Sequence, residues 1–211
     1  MENEKENIVL NDRRAITIHS YSWGLETPDG FLINDKKISI YYLPKNSYKY
    51  YDSDSSVNYN SIKEGGYIIE AQIKIVRNSK IKFITKEYFD KIYNGFENIN
   101  FKALKKEEHT GEDGSQLEVK MGMAEYNSRG LLFEPLKYIG KTKNISLWSP
   151  DKDRKRPEMS KLVKLIKTIK AKIEFDKWYY DNYNEWIKCI EEMDNWRYKF
   201  RIGTEKDLKL W

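Results

Sequence analysis

The sequence predicts an α+β fold: a mainly antiparallel sheet carrying one short helix, followed by a long C-terminal helix or helical hairpin packed on the sheet. Three observations carry that expectation. Several segments before residue 149 alternate apolar and polar side chains with period two, the mark of half-buried strands. From Glu158 to Phe200 the apolar spacing changes to threes and fours, with no internal Gly or Pro. Only 39% of the 211 residues are hydrophobic and 34% are charged, yet aromatics make up 14%, which supplies enough large side chains for a packed core.

Residues 8–148 read as a β-rich core, 149–157 as a polar connector and 158–202 as the helical segment, together one domain of ordinary size. Residues 1–7 are polar and suit a frayed end. Strands are expected at 15–21, 31–33 and 37–43, with turns at Asp29-Gly30 and Asn34-Asp35. The clearest strand is 67–76, where Ile69, Ala71, Ile73 and Ile75 share one face and Glu70, Gln72 and Lys74 the other. Between Pro44 and Gly66 lies a polar stretch containing Tyr48, Tyr50 and Tyr51 with no apolar period, which reads as a long exposed loop. After a strand at 80–84, Thr85 can cap a short helix over 86–93 that ends at Gly95. Residues 99–105 and 116–123 read as a hairpin around the turn-rich 107–114, and 144–148 as a last strand. Pro150 suits the connector and Pro157 the first turn of a helix.

In the helical segment, positions alternating by four and three select Leu162, Ile166, Ile169, Ile173, Asp176, Tyr180, Tyr183, Ile187, Ile190 and Asp194. So long a stripe fits one helix, or two bent near 176–182, crossing the protein's own sheet. A coiled coil with a second copy, making a homo-oligomer through the C-terminal helix, is the competing expectation. Asp176 and Asp194 interrupt it. Trp178, Tyr179, Trp186, Trp196, Tyr198 and Phe200 are too many aromatics for one narrow stripe, so some should be exposed or pack on a neighbour, and exposed tyrosine and tryptophan mark interfaces.

The formal net charge of +5 says little by itself, but its placement is informative. The segment 151–172 holds Lys152, Arg154, Lys155, Arg156, Lys161, Lys164, Lys167, Lys170 and Lys172 against Asp151, Asp153 and Glu158. A block of this kind is either a solvated helix face or a surface for phosphates or an acidic partner. At 100° per residue its lysines spread over the arc opposite Leu162, Leu165, Ile166, Ile169 and Ile173.

The motifs that carry chemistry are thin. Neither G-x-G-x-x-G nor G-x-x-x-x-G-K-[ST] occurs, so P-loop nucleotide hydrolysis is excluded. Asp52-Ser53-Asp54-Ser55-Ser56 opens like a calcium loop, then has Val57 in place of the turn glycine and Lys63 in place of the bidentate glutamate. His19 and His109 are the only histidines and neither begins an H-x-[ST] motif. Cys189, the only cysteine, removes intramolecular disulfides and multi-cysteine metal sites, and it lies mid-helix beside Lys188. Glu118-Val119-Lys120 has the acid-x-lysine form of Mg²⁺-dependent nucleases, which would need Asp113 or Asp90 as a second carboxylate. Such triplets arise by chance in a chain this rich in lysine and acid. The blander expectation puts Glu118 and Lys120 on the solvent side of a strand, with Leu117 and Val119 facing in.

These readings lead to a non-catalytic binding protein with no cofactor and no metal. The expected partner is nucleic acid or a nucleic-acid-handling complex such as a host nuclease, and an accessory or inhibitor protein of a phage or mobile element would have this character. The residues expected at the contact are Arg154, Lys155, Arg156, Lys161, Lys164 and Lys167, with Tyr48, Tyr50 and Tyr51 stacking on bases. No apolar run approaches the roughly 20 residues of a membrane helix, and the start lacks the basic and apolar regions of a signal peptide. A soluble cytoplasmic protein with no membrane partner is expected.

Overall fold

The computed structural model describes residues 12–27, 30–45, 64–73, 78–107, 116–126, 136–148 and 156–191. Six strands, β1 (Arg14–Thr27), β2 (Gly30–Leu43), β3 (Gly66–Ile73), β4 (Asn78–Ile84), β5 (Gln116–Tyr126) and β6 (Leu136–Trp148), form one sheet in the order β4-β3-β2-β1-β5-β6. Every neighbouring pair is antiparallel. Among the described residues it is accompanied by the helices α1 (Lys86–Glu97), α2 (Phe101–Lys106), α3 (Pro157–Ile173) and α4 (Phe175–Glu191). The α+β class holds.

The alternation along the strands decides which face the helices cover. Ile16 and Ile18 on β1, Ile38 and Ile40 on β2, Ile69 and Ala71 on β3, Leu117 and Val119 on β5, and Ile145 and Leu147 on β6 lie on one face. They join Phe89 and Phe96 of α1, Leu104 of α2, Leu162, Ile166, Ile169 and Ile173 of α3, and Phe175, Trp178 and Tyr179 of α4 in one apolar cluster. A smaller cluster of Ala15, Tyr41, Leu43, Ile68, Ile81 and Ala124 occupies the other face. Glu70 and Gln72, expected at the polar side of a half-buried strand, are in fact buried there. Tyr41 donates its hydroxyl to Glu70 Oε2 at 2.6 Å and Gln72 donates Nε2–H to Glu70 Oε1 at 2.9 Å, so the carboxylate is satisfied without water.

Several boundaries depart from the periodicity. Residues 31–33 and 37–43 are parts of one strand, and Asn34-Asp35 is ladder rather than turn: Asn34 pairs with Ser22 and Asp35 with Tyr21. Residues 99–105 form no strand. Asn100 accepts from the amides of Lys102 and Ala103, both at 3.1 Å, and starts the six-residue α2; β5 pairs with β1 and β6 instead. Gly95 does not end α1, which runs on to Glu97. A Cβ there would stand 2.7 Å from Leu165 Cδ2, so the glycine permits a close crossing of α1 and α3. Gly65 permits a close backbone approach: its φ is 74°, and a Cβ would lie 2.8 Å from Lys45 N.

The C-terminal segment is two helices. Their junction is Glu174, in the left-handed region at φ 55° and ψ 43°, just before the expected bend. The stripe Leu162, Ile166, Ile169 and Ile173 faces the protein's own sheet and is buried, while Asp176 is exposed. Lys170, expected on the solvent arc, is 7% exposed and pairs with Asp176 at 2.5 Å. No helix among the described residues is long and apolar enough to cross a membrane.

Helix α3 has no side-chain cap of its own at Arg156. Glu107, just after α2, supplies one: its carboxylate accepts from the amides of Met159 at 2.9 Å and Glu158 at 3.4 Å. Glu158 in turn accepts from the amide of Asn100 at 2.8 Å, so α2 and α3 cap each other. Glu107→Ala should cost about 1–2 kcal/mol in thermal denaturation and Glu107→Gln, which keeps an acceptor, about half as much. Equal losses in the two variants would assign the effect to packing.

Candidate nucleic-acid interface and a hollow on the opposite face

Helix α2 packs against both α3 and β6 and so links the two. Together they carry eleven lysines and a single acidic residue, Glu158. Ten of the eleven lysines are exposed. To the five lysines of α3, α2 adds Lys102, Lys105 and Lys106 and β6 adds Lys137, Lys141 and Lys143.

Some of these cations serve the fold. Lys105 Nζ donates to Ser146 O at 2.8 Å, occupying a carbonyl of the edge strand β6. Lys143 Nζ donates to Glu97 O at 2.9 Å at the end of α1. Lys161 pairs with Glu158 at 2.6 Å, and Arg156, expected at the contact, donates Nη1–H to Glu107 O at 2.8 Å. Lys102, Lys106, Lys137, Lys141, Lys164 and Lys167 are exposed and have no carboxylate partner among the described residues. Lys164 and Lys167 flank a groove of about 470 Å³ on the outer side of α3, between Ser160, Val163, Thr168 and Ala171. Of the other expected contact residues, Arg154, Lys155, Tyr48, Tyr50 and Tyr51 lie outside the described residues. So do Asp52–Ser56, His109 and the side chain of Cys189.

On the sheet face away from the helices, the register collects polar side chains from β1, β2 and β5. His19 stands directly opposite Lys37 on β2 and Glu118 on β5, and Thr17 stands opposite Lys120. A hollow of about 230 Å³ lies over these residues, closed on one side by Leu136 and Tyr138 of β6. His19 Nε2 is 2.5 Å from Asp35 Oδ1, and its ring meets Tyr21 edge-on at 4.9 Å. Tyr21 donates its hydroxyl to Glu118 Oε1 at 2.6 Å. Burial and that carboxylate push the Tyr21 hydroxyl up to about 12, so it remains a donor at neutral pH. Lys120 Nζ sits 4.7 Å from the centre of the Tyr138 ring, whose hydroxyl is bonded to Thr17 Oγ1 at 2.9 Å. Burial raises the Tyr138 hydroxyl as well.

Glu118 and Lys120 do occupy the face away from Leu117 and Val119, as strand alternation requires. The carboxylate offered as their partner is elsewhere. Asp90 lies on α1, on the helix side, held by Arg14 at 2.7 Å and Lys86 at 2.6 Å, while Asp113 is outside the described residues. Among the described residues no three His, Cys, Asp or Glu side chains come together to hold a metal ion. The register is not legible in the sequence: His19 and Glu118 lie 99 positions apart, and only the β1–β5 ladder makes them neighbours. Comparison with protein-family models, curated proteins and solved structures finds no match to this chain.

Proposed function

We propose that the protein binds nucleic acid, as an accessory protein, through the lysine surface of α2, α3 and β6. One observation carries the reading: three elements linked through α2 carry eleven lysines, ten of them exposed, with a single acid among them. Lysine ammoniums are compact point charges that neutralise phosphates without reading bases, so contact here is with the backbone and release of counterions drives it. Among the described residues, six of the lysines have no carboxylate to leave before they meet a phosphate. In this reading the contact itself is non-catalytic.

The test is fluorescence anisotropy with labelled RNA and DNA at about 50 and 200 mM salt. Replacing Lys102, Lys164 and Lys167 together by alanine should weaken binding at low salt. It should also lower the slope of log K against log salt by about 2–3, since each phosphate contact contributes about 0.7–0.9. An unchanged slope would sink the reading, and the same lysines would then be assigned to an acidic protein surface.

A further inference from the structure

We propose that the hollow over β1, β2 and β5 is a catalytic site that cleaves RNA by internal transesterification, with Glu118 as general base and His19 as general acid. The inference rests on the nucleic-acid reading above, and β6 connects the two sites. Its Leu136 and Tyr138 close the hollow, while Lys137, between them in sequence and exposed, belongs to the lysine surface. A strand of RNA held by those lysines needs only to cross the β6 edge to reach the hollow.

The geometry assigns the roles. A metal-independent RNA-cleaving site needs a base for the 2′-hydroxyl, an acid for the leaving 5′-oxygen, and cations for the phosphate between them. Glu118 and His19 are directly opposed across the β1–β5 ladder, close enough to flank one phosphodiester. Each has one atom committed and one available. Glu118 Oε1 is held by the Tyr21 hydroxyl, which fixes the carboxylate and leaves Oε2 to accept a proton. His19 Nε2 is held by Asp35, which orients the ring and leaves Nδ1 to carry the exchangeable proton. Lys37, opposite His19, and Lys120, two residues beyond Glu118 on the same face, bring two ammoniums to the hollow where negative charge builds on the phosphate oxygens.

The step balances with no added reagent. Glu118 Oε2 takes the 2′-hydroxyl proton as the 2′-oxygen bonds to phosphorus. The bond from phosphorus to the 5′-oxygen breaks, and that oxygen takes the proton from Nδ1 of the imidazolium of His19. The products are a 2′,3′-cyclic phosphate end and a 5′-hydroxyl end. Glu118 then loses its proton to water and His19 regains one, which restores the starting state.

The experiment incubates the purified full chain with labelled single-stranded RNA in excess EDTA, and reads cleavage by gel, end groups by mass spectrometry and binding by anisotropy. Expected are products ending in 2′,3′-cyclic phosphate, with DNA and 2′-O-methyl RNA of the same sequence bound but uncut. His19→Gln and Glu118→Gln should each slow cleavage by about 100-fold or more while leaving the circular dichroism spectrum and RNA binding unchanged. RNA that is bound by wild-type protein but never cut overturns this inference and leaves the binding function standing. No binding at all overturns both. Cleavage that stops in EDTA, or that survives both substitutions, also overturns it. The 2′-O-methyl arm needs no variant, so a substitution that fails to fold does not protect the proposal.

Discussion

Replacing Lys36 by methionine should stabilise the protein by about 2–4 kcal/mol at pH 7, an unusual direction for a core substitution. Lys36 is 3% exposed beneath α4, with its ammonium 4.2 Å from the centre of the Tyr179 ring. Burial, and then repulsion by Lys170, lower it from 10.5 to about 7, with Asp176 pulling the other way. Between these two values the unfolded chain binds a proton that the folded chain does not, so stability rises with pH from about 7 to 10.5 and is at its lowest below 7. Methionine keeps most of the stem's volume and removes the group that resists burial. Urea denaturation at pH 7 and pH 9 checks this. The advantage of Lys36→Met over wild type should shrink by about 2 kcal/mol across that interval, because the proton that folding drives off Lys36 costs less to remove as the pH rises toward 10.5. A variant less stable than wild type at pH 7 would mean that the Tyr179 face outweighs desolvation.

What could be read in the sequence follows from how each element announces itself. Strands with one face on a large core alternate strictly, so the central parts of β1, β2 and β3 stand out from their isoleucines, and that of β5 from Leu117, Val119 and Met121. The edge strand β6 does not. Over residues 136–144 it has Lys137, Lys141 and Lys143 with Gly140 among them, and its side chains are mostly exposed, so there is little burial for a pattern to record. Helix α2 is too short to show a period, and only Asn100 before Ala103 and Leu104 hints at a capped turn. The functional surfaces divide in the same way. The α3 lysines are contiguous in sequence and were legible, while those of α2 and β6 join them only because α2 lies between α3 and the sheet edge. The hollow depends wholly on register. A one-residue slip of β5 against β1 would send Glu118 to the helix side and remove it from His19, and no composition or motif encodes that pairing.

Ile169→Asp should abolish folding, and the manner of failure distinguishes the two uses open to the C-terminal stripe. Ile169 is fully buried in the main cluster, on the helix that reaches α1, α2, α4 and the sheet. Removing its side chain leaves a cavity, and the replacement puts a carboxylate where no cation or donor has been arranged for it. Together these cost about 5 kcal/mol or more. That equals the whole stability of many domains, so the variant should lose its cooperative thermal transition and most of its far-ultraviolet helical signal. The exposed neighbour Lys167, changed to Asp, should shift stability by no more than about 0.5 kcal/mol and so controls for helix propensity and charge. Had the stripe been a seam between two chains, aspartate would instead divide an oligomer into folded monomers, a result that light scattering would show at once. Unfolding of Ile169→Asp beside a folded Lys167→Asp places the stripe in the protein's own core. It also leaves the outer face of α3, with Lys164 and Lys167, as the part of that helix available to a partner.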